Sequence, residues 1–387
     1  MSRRVIAEVD SQASSPVTAS TTSGERRGRV RLVELDVLRF LAAVAVVIFH
    51  YVPRLREEFV GLNSPWIALP ARFGYLGVDL FFLLSGYVIV MSASGRSARS
   101  FLVHRAVRLY PSFWTALALT LIAVWIFAPS QEHPSVVNIL ANVTMLPSYL
   151  GELRIDDVYW TLAIEWKFYV LVALVIGTGL VVRIEIIAMV WIGLLGMQSL
   201  GVDSAILRSL TIFPYGSYFA SGAIIYFIRE GGISRLRIIA FACGWLVSLA
   251  TAARAMPSFI PDVGPHDLVS VLAVVSGIFG IFLWIALPGR QLRRSTAWQV
   301  LGAMTFPLYL VHSRLGQLLI LQWQPFESSV TSLLCALVTV AGISFAMAWL
   351  IELRLVPATG RSIVVRKATG DRERPGSATV RTGKTSD

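Results

Sequence analysis

Charge is scarce in this chain. Asp, Glu, Lys and Arg make up 15% of its 387 residues, where a soluble domain carries about a quarter. That scarcity excludes an ordinary soluble enzyme, and an apolar share of 55% excludes an intrinsically disordered chain. Lysine is almost missing: of 34 basic residues only Lys167, Lys367 and Lys384 are lysine. The skew towards arginine points to a high-GC bacterial genome. Cysteine is rarer still. Cys243 and Cys335 both lie inside apolar runs, which excludes a cysteine metal site and argues against a disulfide. Residues 1–30 lack the apolar stretch of a secretory signal. No His/carboxylate spacing resembles a metal site, so no metal is expected. A P-loop and a G-x-S-x-G elbow are missing too.

What the chain has in abundance is apolar runs of about 20 residues, the length that spans a bilayer. The expectation is an all-α, polytopic membrane bundle of about ten transmembrane helices. They fall roughly at 33–52, 73–93, 112–128, 160–181, 185–200, 209–228, 238–253, 268–287, 297–321 and 329–351. The stretch 136–150 is interrupted by Asn138, Asn142 and Pro147 and reads as re-entrant or interfacial. Arginines set the orientation. Arg96, Arg99, Arg105, Arg108, Arg229, Arg235 and Arg237 fall in loops on the side of the N-terminus. The opposite loops are poorer in arginine and carry Glu132, Glu152, Asp156 and Asp157. Both termini are therefore expected in the cytoplasm, in a multi-pass protein of a bacterial cell membrane. The net charge of +11 does not imply nucleic acid, because the basic residues sit in tails and between apolar runs, not along one face. The polar stretches 1–31 and 357–387 are expected to be disordered tails flanking one membrane domain, 32–356.

Ionisable groups inside apolar runs cost several kcal/mol, so they persist when paired or functional. Arg39 and His50 are 11 positions apart in the first run. That is three helical turns, so they share one face about 16 Å apart. They can hold two ends of one extended ligand. The bland alternative pairs Arg39 with Asp36 and leaves His50 at the interface. Asp79 enters the second run beside Gly74, Gly77 and Gly86, where a helix-dipole role competes with a catalytic one. Arg105 and Arg108 are i, i+3 neighbours suited to phosphate. On the pair alone, ordinary positive-inside anchoring is the stronger explanation. Glu165 lies several residues into the fourth run, on the outer side, with His50 and Arg314 as candidate partners. Tyr309 and His312 share a face of the ninth run, followed by Arg314.

In order, the segments LDVLRFLAAVAVVIFHYV, GYLGVDLFFLLSGYVI, HRAVRLYP, WTLAIEWKFY, GAMTFPLYLVH and IELRLVP resemble the acyltransferase-3 family of integral membrane O-acyltransferases. The likeness runs from about residue 33 to 357. Two positions depart from the family pattern: Trp166 replaces a second acidic residue, and Phe306 and Pro307 replace a serine–tyrosine pair.

The resemblance implies an acyl-CoA donor, often acetyl-CoA, used as co-substrate with no permanently bound cofactor. It implies a hydroxyl acceptor on a carbohydrate. Relatives modify surface polysaccharide, lipopolysaccharide, peptidoglycan and Nod factors, and others acylate macrolides. On that basis Arg105 and Arg108 would hold the phosphates of the donor and Arg39 its arm. His50 would act as base or nucleophile, with Glu165 or Asp79 orienting it. Tyr309, His312 and Arg314 would line the acceptor side. A transporter or flippase of a glycan or acyl carrier is the rival expectation, weakened by the lack of visible repeats.

Overall fold

The computed structural model describes residues 33–52, 70–93, 95–202, 204–260, 263–287, 295–323 and 329–357. The expected disordered tails lie outside these residues, apart from Pro357. So do Arg54 and Arg56 of the first outer loop. Every regular element among the described residues is helical.

The chain runs through α1 (Val33–Tyr51), α2 (Gly77–Ala93), α3 (Ala98–Phe127), α4 (Val136–Val143), α5 (Trp160–Gly177) and α6 (Ile184–Ser199). It continues through α7 (Ala205–Thr211), α8 (Gly216–Gly231), α9 (Arg235–Phe259), α10 (Pro265–Ala286), α11 (Thr296–Val311), α12 (Arg314–Trp323) and α13 (Ser329–Met347). A π-helical segment, Ala348–Leu355, closes the last span. Serines start many of these helices. Ser97, Ser135, Ser204, Ser234 and Ser295 each accept a backbone N–H of the first turn, satisfying a donor that the helix leaves orphaned.

Seven helical stretches are long and apolar enough to cross a membrane. Their outward faces carry large apolar side chains such as Trp125, Leu174, Trp284 and Val338, as lipid contact requires. This is a multi-pass membrane protein. Besides the short helices α4, α7 and α12, three longer ones fall outside that set for identifiable reasons. α1 contains Glu34, Asp36 and Arg39, and α8 and α11 have 16 residues each. Of these, α1 and α8 pack against the centre of the bundle, and α11 packs against α1, α3 and α13.

That centre is α2. Of its span, 78% is buried, against 17–44% for the other six. Glycines bring its neighbours close. A Cβ on Gly86 would lie 2.0 Å from the Phe219 carbonyl oxygen of α8, and one on Gly222 would lie 2.0 Å from that of Leu83. Small residues thus let two helix backbones touch, the usual route to tight packing in lipid.

Three predicted spans need correction. The third begins at Ala98, not 112, because the helix runs straight through HRAVRLYP with Arg105 buried on its inner face. The sixth is broken into α7 and α8 around Phe213 and Pro214. The ninth is broken at His312 and Ser313, between α11 and α12. The stretch 136–150 holds the short helix α4 and a turn at Pro147–Tyr149.

Candidate active site

Two cavities enter the bundle and share a wall. The outer one, about 80 Å³, lies where the end of α1, the start of α2, the start of α5, the start of α8 and the end of α9 converge. His50, Tyr75, Asp79, Trp160, Tyr215 and Tyr309 border it. The inner one, about 120 Å³, is bordered by Arg39, Arg105, Arg108, Glu165, Tyr169 and Glu352. Val78 and Tyr309 belong to both. The Tyr309 hydroxyl sits 2.8 Å from Thr161 Oγ1 and donates to the Val158 carbonyl at 3.2 Å. So the partition is tied to the start of α5.

His50 closes α1, where its ring is held by the backbone. Its Nδ1 lies 2.8 Å from the Val46 carbonyl oxygen. A carbonyl only accepts, so in the neutral ring Nδ1 carries the proton and Nε2 carries the lone pair. His312 stands behind it, fully buried. Its Nδ1 is 2.8 Å from the Tyr309 carbonyl oxygen, which fixes the same tautomer and turns Nε2 towards His50 Nδ1 at 3.3 Å. The two rings meet edge to face, with centroids 4.9 Å apart. The helix break at His312 makes this possible, and two contacts hold it. Tyr51 donates to the His312 carbonyl at 2.7 Å. Asp156 accepts the Arg314 backbone N–H at 2.9 Å and the Val158 N–H at 3.2 Å. Asp156 is 1% exposed, and burial raises its carboxyl from the ordinary 3.8 to about 6 despite those donors.

The inner cavity concentrates guanidinium groups. Arg105 is buried, bonds Ser92, and packs its guanidinium over Phe101 and Tyr169 at 5.3 and 5.6 Å. Its Nε meets no protein acceptor. A buried guanidinium nitrogen left open is costly unless a ligand uses it. Glu165 is held by the Tyr169 hydroxyl and lies 3.4 Å from Ser85 Oγ. Glu352 accepts Ser112 Oγ at 2.5 Å.

The structure therefore divides the sequence candidates. His50, Asp79 and Tyr309 face the outer cavity, and Arg39, Arg105 and Arg108 face the inner one. Glu165 lies with the arginines, one turn deeper along α5 than Thr161, with Tyr169 and Ser85 as its partners. Asp79 pairs with Tyr218. His312 backs His50. Arg314 pairs with Glu132 at a third, wider polar cavity of about 480 Å³ that also reaches Asp156 and Asp157. Sequence reasoning missed Tyr75 and the clamp role of Asp156. The aspartate immediately before the D-V-Y-W-T-L run was the available signal for the clamp. Among the described residues, no group of three or more His, Cys, Asp or Glu is placed to hold a metal ion.

The helices thus form a membrane bundle with a basic inner cavity and a histidine-bordered outer cavity that share a wall. Residues 32–351 match the family described as an acyltransferase domain, and the chain belongs to this acyltransferase-3 family. Curated relatives include the O-acetyltransferase OatA of Staphylococcus aureus, 28% identical over 160 residues, covering 37% of this chain and 24% of that protein. The peptidoglycan O-acetyltransferase OatA of Listeria monocytogenes is 27% identical over 171 residues, covering 38% and 24%. A putative peptidoglycan O-acetyltransferase, YrhL of Bacillus subtilis, is 27% identical over 165 residues with the same coverage. The chain spans about a quarter of the length of these relatives. No solved structure matches it.

Proposed function

We propose that this protein is a membrane O-acyltransferase that moves an acetyl group from acetyl-CoA to a sugar hydroxyl of a cell-envelope glycan. The observation that carries this reading is the pair of cavities meeting at Tyr309, one lined by three arginines and the other by His50. The names of the relatives direct the acceptor towards peptidoglycan or a similar wall glycan and away from a macrolide. The protein sits in the bacterial plasma membrane with both termini cytoplasmic, so the arginine cavity faces the compartment that holds acyl-CoA.

In the proposed mechanism Arg105 and Arg108 bind donor phosphates, and Arg39 steadies the arm beyond them. The thioester reaches the wall between the cavities. The acceptor O–H gives its proton to His50 Nε2 as its oxygen bonds the thioester carbon. The tetrahedral intermediate then expels the CoA sulfur, which takes that proton back. One C–O bond forms, one C–S bond breaks, and the histidine returns to its starting tautomer. Charge developing on the ring during the proton's stay is tempered by neutral His312 at Nδ1.

The test follows labelled acetyl from acetyl-CoA in membranes carrying wild-type protein or the His50→Ala variant. Transfer to wall-glycan material is expected in the wild type and a loss of at least about a hundredfold in the variant. Equal transfer by both would remove His50 from the reaction. Vectorial movement of a glycan without covalent label would favour the transporter reading instead.

A further inference from the structure

The outer cavity holds a hydroxyl that the fold itself does not use. Tyr75 is 6% exposed, borders the same cavity as His50, and its hydroxyl has no protein hydrogen-bond partner. Three other hydroxyls on that wall already donate to the protein. Tyr309 gives its proton to the Val158 carbonyl, Thr251 to the Ser248 carbonyl at 3.1 Å, and Tyr218 is engaged with Asp79 and the Ser248 carbonyl. A buried hydroxyl without a partner is disfavoured, and fully buried polar groups are nearly always bonded to something.

The ring that carries this hydroxyl is also held rigidly. It stacks on Phe259 at 4.4 Å with the planes 9° apart, and it tilts against Phe49 at 5.6 Å. Phe49 in turn meets the His50 ring edge to face at 5.2 Å. The turn before it is pressed onto α1. A Cβ on Gly74 would lie 2.1 Å from the Ala45 carbonyl oxygen, so only glycine lets Tyr75 come this near to the helix of His50. A fixed donor with an uncommitted proton, in a cavity narrow enough that its walls contact one occupant, is what stabilisation of a developing oxyanion requires.

We propose that the Tyr75 hydroxyl donates to the acyl carbonyl oxygen as it becomes negative during attack, opposite the proton transfer to His50. The proposal rests on the acyl-transfer reading above. The phenol keeps its proton throughout. It hydrogen-bonds the oxyanion and is released when the carbonyl re-forms and the C–S bond breaks. Tyr75 lies within the segment GYLGVDLFFLLSGYVI, but it is the orphaned hydroxyl that singles it out.

Tyr75→Phe tests this, because it removes one oxygen and keeps both ring contacts. Acetyl-CoA is supplied to membranes holding wild-type or variant protein, and release of CoA and formation of alkali-labile acetate esters are followed together. A donor used only in the transition state should lower kcat by about a hundredfold and leave the acetyl-CoA KM unchanged. The Tm of the purified variant should be equal to or above that of wild type, since a merely structural hydroxyl with no partner has nothing to lose. Unchanged kcat overturns the proposal, as does a raised KM with kcat intact, or a fall in kcat matched by a fall in Tm. Wild-type protein that releases no CoA overturns the acyl-transfer reading itself. An active wild type with an equally active Tyr75→Phe overturns the oxyanion role alone.

Discussion

Asp156 illustrates how a single side chain ties an outer loop to the candidate catalytic pair. It sits before α5, yet it accepts the backbone N–H of Arg314 and so holds the break that swings His312 behind His50. Its carboxyl is raised to about 6 in the folded protein, against 3.8 in an exposed chain, because burial outweighs its hydrogen bonds. The folded state therefore binds the proton more tightly than the unfolded state. Stability from this group is full below about pH 3.8 and is lost as pH rises to about 6. The shift corresponds to about 3 kcal/mol. In melts between pH 4 and 7, the Tm of wild type should fall relative to Asp156→Asn across that window, then run parallel above it. Parallel curves throughout would remove the effect. Little of this was legible in the sequence. The spacing of Arg39 and His50 already placed them at two ends of one helix face, and the structure puts one in each cavity. Glu165 read as an outer partner for His50, because depth along a span does not reveal which neighbour a carboxylate meets. Tyr75 lies in the segment GYLGVDLFFLLSGYVI, but its role was not legible, since an unbonded hydroxyl exists only once the fold has placed its surroundings.

At the scale of elements, apolar length located the seven stretches that are long enough to cross a membrane, and the errors fall where helices break or overrun. Charge in HRAVRLYP hid the first half of α3, since a buried arginine looks like a loop residue in one dimension. The interruption at Pro214 lies inside a largely apolar run, and the polar residues His312, Ser313 and Arg314 at the second break read as site residues of one continuous span. The packing of α2 on α8 was partly legible, because Gly86 sits in the second run with small neighbours. Gly86→Ala should drive a methyl into the Phe219 carbonyl, which lies 2.0 Å from that Cβ and belongs to a helix backbone that cannot move aside cheaply. Overpacking of this kind costs about 1–3 kcal/mol. A Tm several degrees lower in detergent is expected, with a matching loss of activity, since α2 and α8 both contribute walls to the outer cavity. An unchanged Tm would mean that the two helices do not make this close approach.

At the scale of the whole molecule, the functional reading depends on which side each cavity faces. The element ends around the outer cavity all lie at one end of the bundle, together with the loop that precedes α5. The arginine cavity lies towards the other end, where α8 gives way to α9. In the proposed topology the distribution of arginine in the loops puts that second end in the cytoplasm, where acyl-CoA is found. Labelling can decide it. Cys243 and Cys335 are exposed and free, so both are first replaced by serine. Single cysteines then go to Leu153, which is 83% exposed before α5, and to Ile233, which is 69% exposed between α8 and α9. On intact cells a membrane-impermeant maleimide should modify Leu153→Cys and spare Ile233→Cys, and inverted vesicles should give the reverse. The opposite pattern would turn the arginine cavity towards the cell exterior. Donor binding by Arg39, Arg105 and Arg108 would then lose its physical basis, because three guanidinium groups facing a compartment without acyl-CoA would have to hold a different anion.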